Sequence, residues 1–396
     1  MANHRISCPL VLALLSVFFY SSVVLSATPV TYNVVSLGAK ANGKTDSTKA
    51  FVTAWTRACA SANPATIYVP AGRFYLRSVI FNGPCRNNAI RVRIEGTLVA
   101  PSDYRVLGNG ANWILFSHVD GVTVSGGILD AKGTSLWACK SSGKSCPSGA
   151  TTLQFFNSNN IVVSALTSLN SQMFHIVVNG CQNVKIQAVK VIASGDSPNT
   201  DGIHVQSSSG VTILKTKIRT GDDCISIGPG TTNLWIENVA CGPGHGISIG
   251  SLGKDLKEDG VQNVTVKTVI FTGTQNGVRI KSWARPSNGF ARNILFQHIV
   301  MVNVQNPVLI DQNYCPDNKD CPGQVSGVKI SDVTYQDIHG TSATAVAVKF
   351  DCSSKNPCSR IRLENVKLTY KNKVAEASCV HAAGTSSGLV QPSGCL

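Results

Sequence analysis

Short apolar alternations recur along this chain of 396 residues. They are rich in Val, Ile and Thr and mostly introduced by Asn or Gly, and they begin at residues 160, 183, 210, 233, 263, 293, 327 and 360. Alternation with a period of two, with little helical periodicity, is typical of short strands. The spacing of 23 to 34 residues predicts stacked coils.

A second series of strands shares one scheme, an apolar–polar–apolar run after a short turn. Its members are "DGIHV" at 201, "DCISI" at 223, "HGISI" at 245, "NGVRI" at 276, "NPVLI" at 306 and "TAVAV" at 344. Adjacent parallel strands lie about 4.8 Å apart, so Asp201, Asp223 and His245 should lie one above another. A propeller expects a longer period and hairpin turns, which this sequence lacks. We predict an all-β fold, a right-handed parallel β-helix.

Two segments depart from the repeat. "TDSTKAFVTAWTRACA" predicts a short helix with Asp46 as its N-cap and Phe51, Trp55 and Cys59 on one face. Such a helix at the N-terminal end would cover the open edge of the solenoid. The stretch 134–150 predicts a disulfide-pinned loop that lengthens one coil.

Residues 1–26 indicate a signal peptide. They have a basic start, an apolar run from Pro9 to about Tyr20, and the small residues Val24 and Ser26 near the expected cleavage point. The run is short for a membrane anchor, and no second apolar span follows. We expect a secreted, extracellular protein without membrane association after cleavage, with residues 27–396 forming a single β-helix catalytic domain.

Cleavage would remove one of 14 cysteines and leave 13. Most cysteines of secreted proteins pair. Closeness in sequence suggests six pairs: Cys59–Cys85, Cys139–Cys146, Cys224–Cys241, Cys315–Cys321, Cys352–Cys358 and Cys379–Cys395. Cys181 is left over, and a buried free thiol is expected there.

The formal net charge is +14. On a secreted chain this favours a polyanionic partner. The alternative is a surface that is merely kept soluble or held loosely on an anionic matrix. Nucleic acid is disfavoured by the signal peptide and by the lack of a basic patch with interleaved aromatic residues.

Six titratable or charged side chains are predicted on one face of the coils: Asp201, Asp222, Asp223, His245, Arg279 and Lys281. Crowded carboxylates have separated pKa values, so one can stay protonated while another is ionised. Cleavage of a glycosidic bond needs one carboxyl to protonate the leaving oxygen and one carboxylate to activate water. The two cations suit a substrate carboxylate.

Each feature alone has an ordinary structural explanation. Adjacent aspartates are common in turns, a single histidine is often structural, and cations often lie on a solvated strand face. An acidic cluster also suits calcium, but the nearby cations oppose a metal and no loop dense in oxygen ligands accompanies it. We expect no metal and no cofactor.

Four segments carry a specific pattern in order: "SPNTDGIHV" (197–205), "GDDCISIG" (221–228), "CGPGHGISIGSLG" (241–253) and "NGVRIKSW" (276–283), followed by "VLIDQNYC" (308–315). They resemble the motifs of polygalacturonases, the pectin-degrading enzymes of glycoside hydrolase family 28. The resemblance implies a right-handed parallel β-helix that hydrolyses α-1,4-linked galacturonan with inversion and without a metal.

The resemblance also implies roles for single residues. Asp222 corresponds to the general acid, Asp201 and Asp223 to the residues that hold the attacking water, and His245 to a residue that assists near the acid. Four residues correspond to substrate-binding or supporting positions: Arg279, Lys281, Tyr314 and Asn199. The resemblance further supports the Cys224–Cys241 pair.

Within the family, "MFHIVV", "TGTQNGVRIKSW" and "GHGISIGSLGK" resemble the plant pollen exopolygalacturonases, several of which are allergens. This implies exo action on pectin in the cell wall, and we expect a monomer. An endo-polygalacturonase, a calcium-dependent pectate lyase and a non-catalytic pectin-binding wall protein are the alternatives. "NVT" at Asn263 is an N-glycosylation sequon.

Overall fold

The computed structural model describes residues 1–2, 28–316, 319–393 and 395–396. Residues 3–26 of the predicted signal peptide lie outside the described residues. Within the described part, no helix is long and apolar enough to cross a membrane.

Eleven parallel strands stack in chain order into the sheet that we call the cleft sheet. They are Val79–Asn82, Asn112–Ser117, Thr151–Phe156, Ile176–Asn179, Ile203–Gln206, Ile225–Ile227, Ile247–Leu252, Asn276–Trp283, Asn306–Tyr314, Val346–Asp351 and Glu376–Val380. Each strand pairs with the next one in this order. The chain therefore returns to this face once in every coil, as a β-helix requires.

The remaining faces belong to one sheet of 21 strands. These are Val30–Asn33, Asn42–Asp46, Ala65–Val69, Arg73–Tyr75, Ile90–Ile94, Thr97–Val99, Val122–Ser125, Ile128–Asp130, Asn159–Ser164, Thr167–Leu169, Gln182–Gln187, Lys190–Ile192, Ser209–Leu214, Lys217–Arg219, Thr232–Cys241, Val261–Thr272, Phe290–Val304, Lys329–Ser342, Cys358–Tyr370, Lys373–Val374 and Ala382–Gln391. Among the pairings of the described strands, only the one between Thr369 and Val374 is antiparallel. The predicted all-β parallel β-helix is confirmed.

The core is a stack of apolar side chains inside the coils. On the cleft sheet, Ile203, Ile225, Ile247, Val278 and Val308 are successive register partners, and each is at most 1% exposed. Burial of one such side chain contributes about 1.5–3 kcal/mol. Because the same register continues to the turn before each strand, it also fixes the vertical alignment of the polar residues there.

Two predicted repeat positions are wrong. The chain pairs Ile294 with Val333, so the repeat unit there begins at Asp332 rather than at residue 327. Further along, Val308 pairs with Val348, which shifts "TAVAV" by two residues relative to the predicted scheme. The long connection after the strand Asn306–Tyr314 changes the phase, and alternation alone does not record such a change.

The asparagines that introduce the repeats have a common backbone conformation. Asn160, Asn183, Asn233, Asn263 and Asn293 all have φ between 54° and 57°, a left-handed region that asparagine tolerates better than most residues. Their side chains join along the stack: the Asn263 amide donates to Asn233 Oδ1 at 3.2 Å and accepts from the Asn293 amide at 3.3 Å. Asn263, the predicted glycosylation site, is exposed.

The predicted capping helix is present as α1, Thr48–Ala60. It packs on the strands at the N-terminal end of the solenoid, with Phe51 and Trp55 buried. Ser47, rather than Asp46, occupies the N-cap position, although the Asp46 carboxylate accepts the Thr48 N–H at 2.9 Å. The helix therefore begins one residue later than predicted and still uses the Asp46 side chain.

The segment 134–150 is a helix followed by a loop, rather than a loop throughout. Its first half forms α2, Thr134–Ser141. Trp137 is buried and its indole N–H donates to Ser171 O at 3.0 Å. This segment leads into the strand Thr151–Phe156, the third strand of the cleft sheet.

The sulfurs are paired as the spacing suggested, in six disulfides: Cys59–Cys85, Cys139–Cys146, Cys224–Cys241, Cys315–Cys321, Cys352–Cys358 and Cys379–Cys395. Cys181 is the free cysteine among the described residues, and it is fully buried. The disulfide between Cys224 and Cys241 joins the turn that carries Asp222 and Asp223 to the next coil, so it fixes a turn of functional interest.

Replacing Trp55 with Ala should lower the free energy of unfolding by about 3–5 kcal/mol. The Trp55 ring lies 5.1 Å from that of Phe81 and 5.5 Å from that of Phe116, and its N–H donates to Asn82 O at 2.9 Å. Urea denaturation measures the effect. The matched control on the exposed face of the same helix, Thr56→Ala, should stay within about 0.5 kcal/mol of the wild type. Equal losses in both variants would contradict a packing role for the helix.

Candidate active site

The turns that enter the cleft sheet carry the candidate acids. Asp201 lies two residues before the strand Ile203–Gln206, and Asp223 lies two residues before Ile225–Ile227. His245 has the same place before Ile247–Leu252. Since these strands pair in register, the three residues stack as predicted, and Asp222 lies beside Asp223.

Asp223 is held by an inner set of polar contacts. Its Oδ1 lies 2.9 Å from Arg279 Nη2 and accepts the Ser248 hydroxyl at 2.7 Å, and its Oδ2 lies 2.9 Å from Lys281 Nζ. Arg279 Nε also donates to Ser248 Oγ at 2.9 Å. Alternation correctly predicted that both cations face away from the core, yet each is only 7% exposed. They bind a carboxylate of the protein itself.

This environment keeps Asp223 ionised. Burial by itself would raise the pKa of Asp223, but the charges of Lys281 and Arg279 and the hydrogen bonds from Lys281 and Ser248 outweigh burial. The pKa is therefore lowered to about 2. Near neutral pH, Asp223 is a fixed negative charge with two fixed positive charges against it.

Asp222 has a different set of partners. Its Oδ1 lies 3.1 Å from His245 Nδ1 and accepts the Asp223 N–H at 2.7 Å. The backbone N–H of His245 donates to Asp222 O at 2.8 Å, which holds the two side chains side by side. A carboxyl beside an imidazole can pass a proton to it or take one from it. The Asp222 side chain is 19% exposed, so it can reach a ligand in the cleft.

Asp201 is the group with the raised pKa. Burial is the largest cause, followed by the negative charges of Asp222 and Asp223, and together they raise the pKa of Asp201 well above its usual range. Asp201 is 6% exposed. Within this coupled cluster, Asp223 therefore stays ionised, while Asp201 holds a proton more readily than an ordinary carboxyl.

One cleft brings six of the eight predicted site residues together: Asn199, Asp201, Asp222, Asp223, Lys281 and Tyr314. The other two contact residues of this cleft: the half-exposed His245 lies against Asp222, and the buried Arg279 lies against Asp223. The Tyr314 ring centroid lies 5.0 Å from Lys281 Nζ and 5.8 Å from Arg279 Cζ, so the ring covers both cations. The predicted site is thus one connected surface.

Comparison with known proteins then places the chain. The sequence pattern of glycosyl hydrolases family 28 matches residues 59–388. The chain belongs to glycosyl hydrolases family 28. A polygalacturonase of Prunus persica is 73% identical over the whole of both chains. An exopolygalacturonase of Platanus acerifolia is 44% identical over 91% of this chain and 96% of its own.

A solved structure supports the same family fold. The endo-xylogalacturonan hydrolase from Aspergillus tubingensis is 22% identical, with a TM-score of 0.79 over 91% of this chain and 100% of that chain. At this level of identity the likeness concerns the fold, and it confirms the right-handed parallel β-helix.

The family motifs drew attention to charged residues, and sequence reasoning missed the neutral ones between them. Ser226 and Ser248 are register partners of Arg279 on the outward side of the cleft sheet. His204, next on that column, lies 2.8 Å from Ser226 Oγ through its Nδ1. The sequence contains a signal for these three residues, because each fills the polar position between two apolar residues of its strand.

The acidic cluster is poorly arranged for a divalent cation. Donor atoms of Asp222, Asp223 and His245 lie within 4.8 Å of one another, which is a spacing that a metal can use. Both oxygens of Asp223, however, are already bonded to Arg279 and Lys281. A cation there would meet two fixed positive charges, which opposes its binding.

Asp223→Asn should reduce stability in a pH-dependent way. At pH 6 the loss should be about 3–5 kcal/mol, because two buried cations lose their anion. The pKa of Asp223 is lowered, so its contribution is complete above about pH 4 and is lost as pH falls toward 2. The gap between wild type and variant should then shrink by about 2 kcal/mol.

Denaturation at several pH values between 2 and 6 measures this gap. Asp255→Asn, which neutralises an exposed carboxylate at the cleft, is the matched control and should follow the wild type within about 0.5 kcal/mol. A gap for Asp223→Asn that stayed constant across this range would show that the ion pairs do not stabilise the fold.

Proposed function

We propose that this chain is a polygalacturonase that hydrolyses the α-1,4-galacturonosyl linkages of polygalacturonate by an inverting general acid–base mechanism. Membership of the family and the Prunus persica relative support the activity. The observation that carries the mechanism is the cluster of three carboxyls, in which Asp223 is fixed as an anion while Asp201 has a strongly raised pKa.

In this mechanism Asp222 is the general acid. It is more exposed than Asp223, faces the cleft and has His245 Nδ1 beside it as a second proton holder. Donation of its proton to the leaving glycosidic oxygen breaks the bond without release of an alkoxide. His245 then faces the ionised Asp222 and supports its return to the protonated form.

Asp201 and Asp223 hold the attacking water from the opposite side. The charge of Asp222 is one cause of the raised pKa of Asp201, so a proton on Asp222 favours ionisation of Asp201. With Asp222 protonated, Asp201 can therefore be charged and act as the base. Asp201 takes a proton from the water as the water oxygen bonds to the anomeric carbon and the glycosidic bond breaks. Asp223, ionised throughout, orients the water.

Arg279 and Lys281 can attract a galacturonate carboxylate even though both form ion pairs with Asp223. Asp223 supplies one negative charge against two positive ones, so the inner set keeps a net positive charge. Lys254 is exposed at the same cleft, where the neighbouring Asp255 offsets its charge. Tyr314 lies over Arg279 and Lys281 and offers a ring against which a sugar can pack.

Two observations support exo action. On the outward column that contains Lys281, the next register partners are Asp311 and Asp351. These carboxylates disfavour a polyanion, although Lys349 lies 3.7 Å from Asp351 and offsets part of the charge, so the cleft favours only a few sugar units. The Platanus acerifolia relative is also named an exopolygalacturonase.

We further infer that the protein is secreted into the cell wall as a monomer and is glycosylated at Asn263. The sequence pattern of residues 1–26 and the six disulfides support secretion.

Three alternative functions predict different products. An endo-acting enzyme would release oligomers, and a pectate lyase would need calcium and leave unsaturated ends. A non-catalytic pectin-binding protein would release nothing.

Asp222→Asn should fold normally and lose polygalacturonate hydrolysis by about 10³-fold, because the leaving oxygen is no longer protonated. The loss should be much smaller on a galacturonide with an activated aryl leaving group, which needs little protonation. Asp201→Asn is the matched variant and should lose activity on both substrates alike. Reducing-end release and aryl release, measured beside melting curves, give the four rates.

Two outcomes would contradict these roles. A folded Asp222→Asn variant with a normal rate on the polymer would remove Asp222 from the mechanism. If the aryl substrate restored the activity of Asp201→Asn and not that of Asp222→Asn, Asp201 would be the acid and Asp222 the base.

The wild type should release only galacturonic acid from polygalacturonate at low conversion, because cleavage takes place at a chain end. Chromatography of the products measures this, and NMR of the first product should show the β-anomer expected for inversion of an α-linkage. A ladder of oligomers would mean endo action. Unsaturated products lost on chelation of calcium would mean a lyase.

A further inference from the structure

The cleft accounts for little of the positive charge of this chain. The net charge is +14, yet the two cations of the inner set are bonded to Asp223. Five exposed cations lie together on the two coils that lead to the candidate acids, and we call them the basic corner: Lys185, Lys190, Lys215, Lys217 and Arg219.

The register places two of these cations side by side. Lys190 is the direct register partner of Lys217 on adjacent strands, and Arg219 is the partner of Ile192. Parallel strands are about 4.8 Å apart, and like charges directly opposite each other destabilise a sheet. Lys215 stands at the bend before Lys217, with φ of 54°. Stability alone does not explain this arrangement.

No carboxylate compensates the basic corner within the described residues. None of its cations has a carboxylate oxygen within 4.0 Å. The acids near it in the chain have other partners: Asp196 accepts the Ser194 hydroxyl, and Glu237 accepts the Trp235 indole N–H at 3.0 Å. The field of the basic corner is therefore open to solvent.

The basic corner also borders the cleft. The strand Lys217–Arg219 continues through Thr220 and Gly221 directly into Asp222. The strand Lys190–Ile192, one coil earlier, continues through 193–200 to Asp201. A polymer whose end is in the cleft can thus lie along this flank with its other residues.

We infer that the basic corner is a second binding site, outside the catalytic cleft, for a polyuronate chain. Its identity as galacturonan rests on the proposed function. The cations are exposed and spread over neighbouring strands instead of converging on one point, which suits a polymer with one carboxylate per sugar better than a small anion. Lysines on flexible stems match such spaced charges. The site keeps a long chain near the cleft between successive cleavages.

The test compares the double variant Lys190→Gln/Lys217→Gln with Lys40→Gln/Lys44→Gln, which removes the same charge from exposed positions near α1. Binding to polygalacturonate is measured in the Asp222→Asn background, so that the polymer stays intact. The corner variant should bind about 5-fold more weakly at low salt. Its slope of log affinity against log salt should be shallower by about 1.4, since each neutralised charge of a flexible polyanion contributes about 0.7.

Kinetics in the active enzyme give a second readout. The corner variant should have a raised KM for long polygalacturonate and unchanged kinetics on trigalacturonate, which is too short to reach the basic corner. Equal weakening in both double variants, or equal retention of dextran sulfate and polygalacturonate by the wild type, would overturn the inference. If binding depends on the basic corner but the wild type does not hydrolyse the polymer, the proposed function is wrong and the binding site is still supported.

Discussion

The in-register stacking of parallel strands is the constraint on which the rest of this structure depends. Residues that are 22 positions apart in the sequence are neighbours on adjacent coils. Ile203, Ile225 and Ile247 are register partners in the core. Asp201, Asp223 and His245 each lie two residues earlier, so they stack as well. A shift by one residue would exchange the core and outward faces. The apolar stack therefore fixes the polar site, and the site needs no scaffold of its own.

Asp223 shows how such a scaffold tolerates buried charge. Arg279 and Lys281 reach it from a strand two coils away, with Ser248 between them. An ion pair of this kind is weak evidence of stabilisation, because desolvation offsets much of the attraction. Its chemical consequence is clearer: Asp223 is held ionised, and its charge helps to raise the pKa of Asp201. The geometry thus gives these two similar side chains opposite pKa shifts.

The sequence determined the parts that follow from equal spacing and alternation. The fold, the stacked acids and the outward direction of Arg279 and Lys281 were predictable, since each depends on period and parity. The burial of Arg279 and Lys281 was not predictable, because alternation gives the direction of a side chain and not which residues cover it. The repeat at residue 332 was missed because Val328 and Ile330 imitate its alternation. Helix α2 was missed because a short segment with a disulfide looks like a loop.

Two contacts between like charges lie on the same few coils. Asp222 adjoins Asp223, and Lys190 lies opposite Lys217 one face away. Each contact costs stability, and the fully buried stack through Ile203 and Ile225 and the nearby disulfide help to offset that cost. The acids act on a bond and the cations attract the chain that contains it. Opposite charges on adjoining faces of one coil therefore divide the work of catalysis and retention.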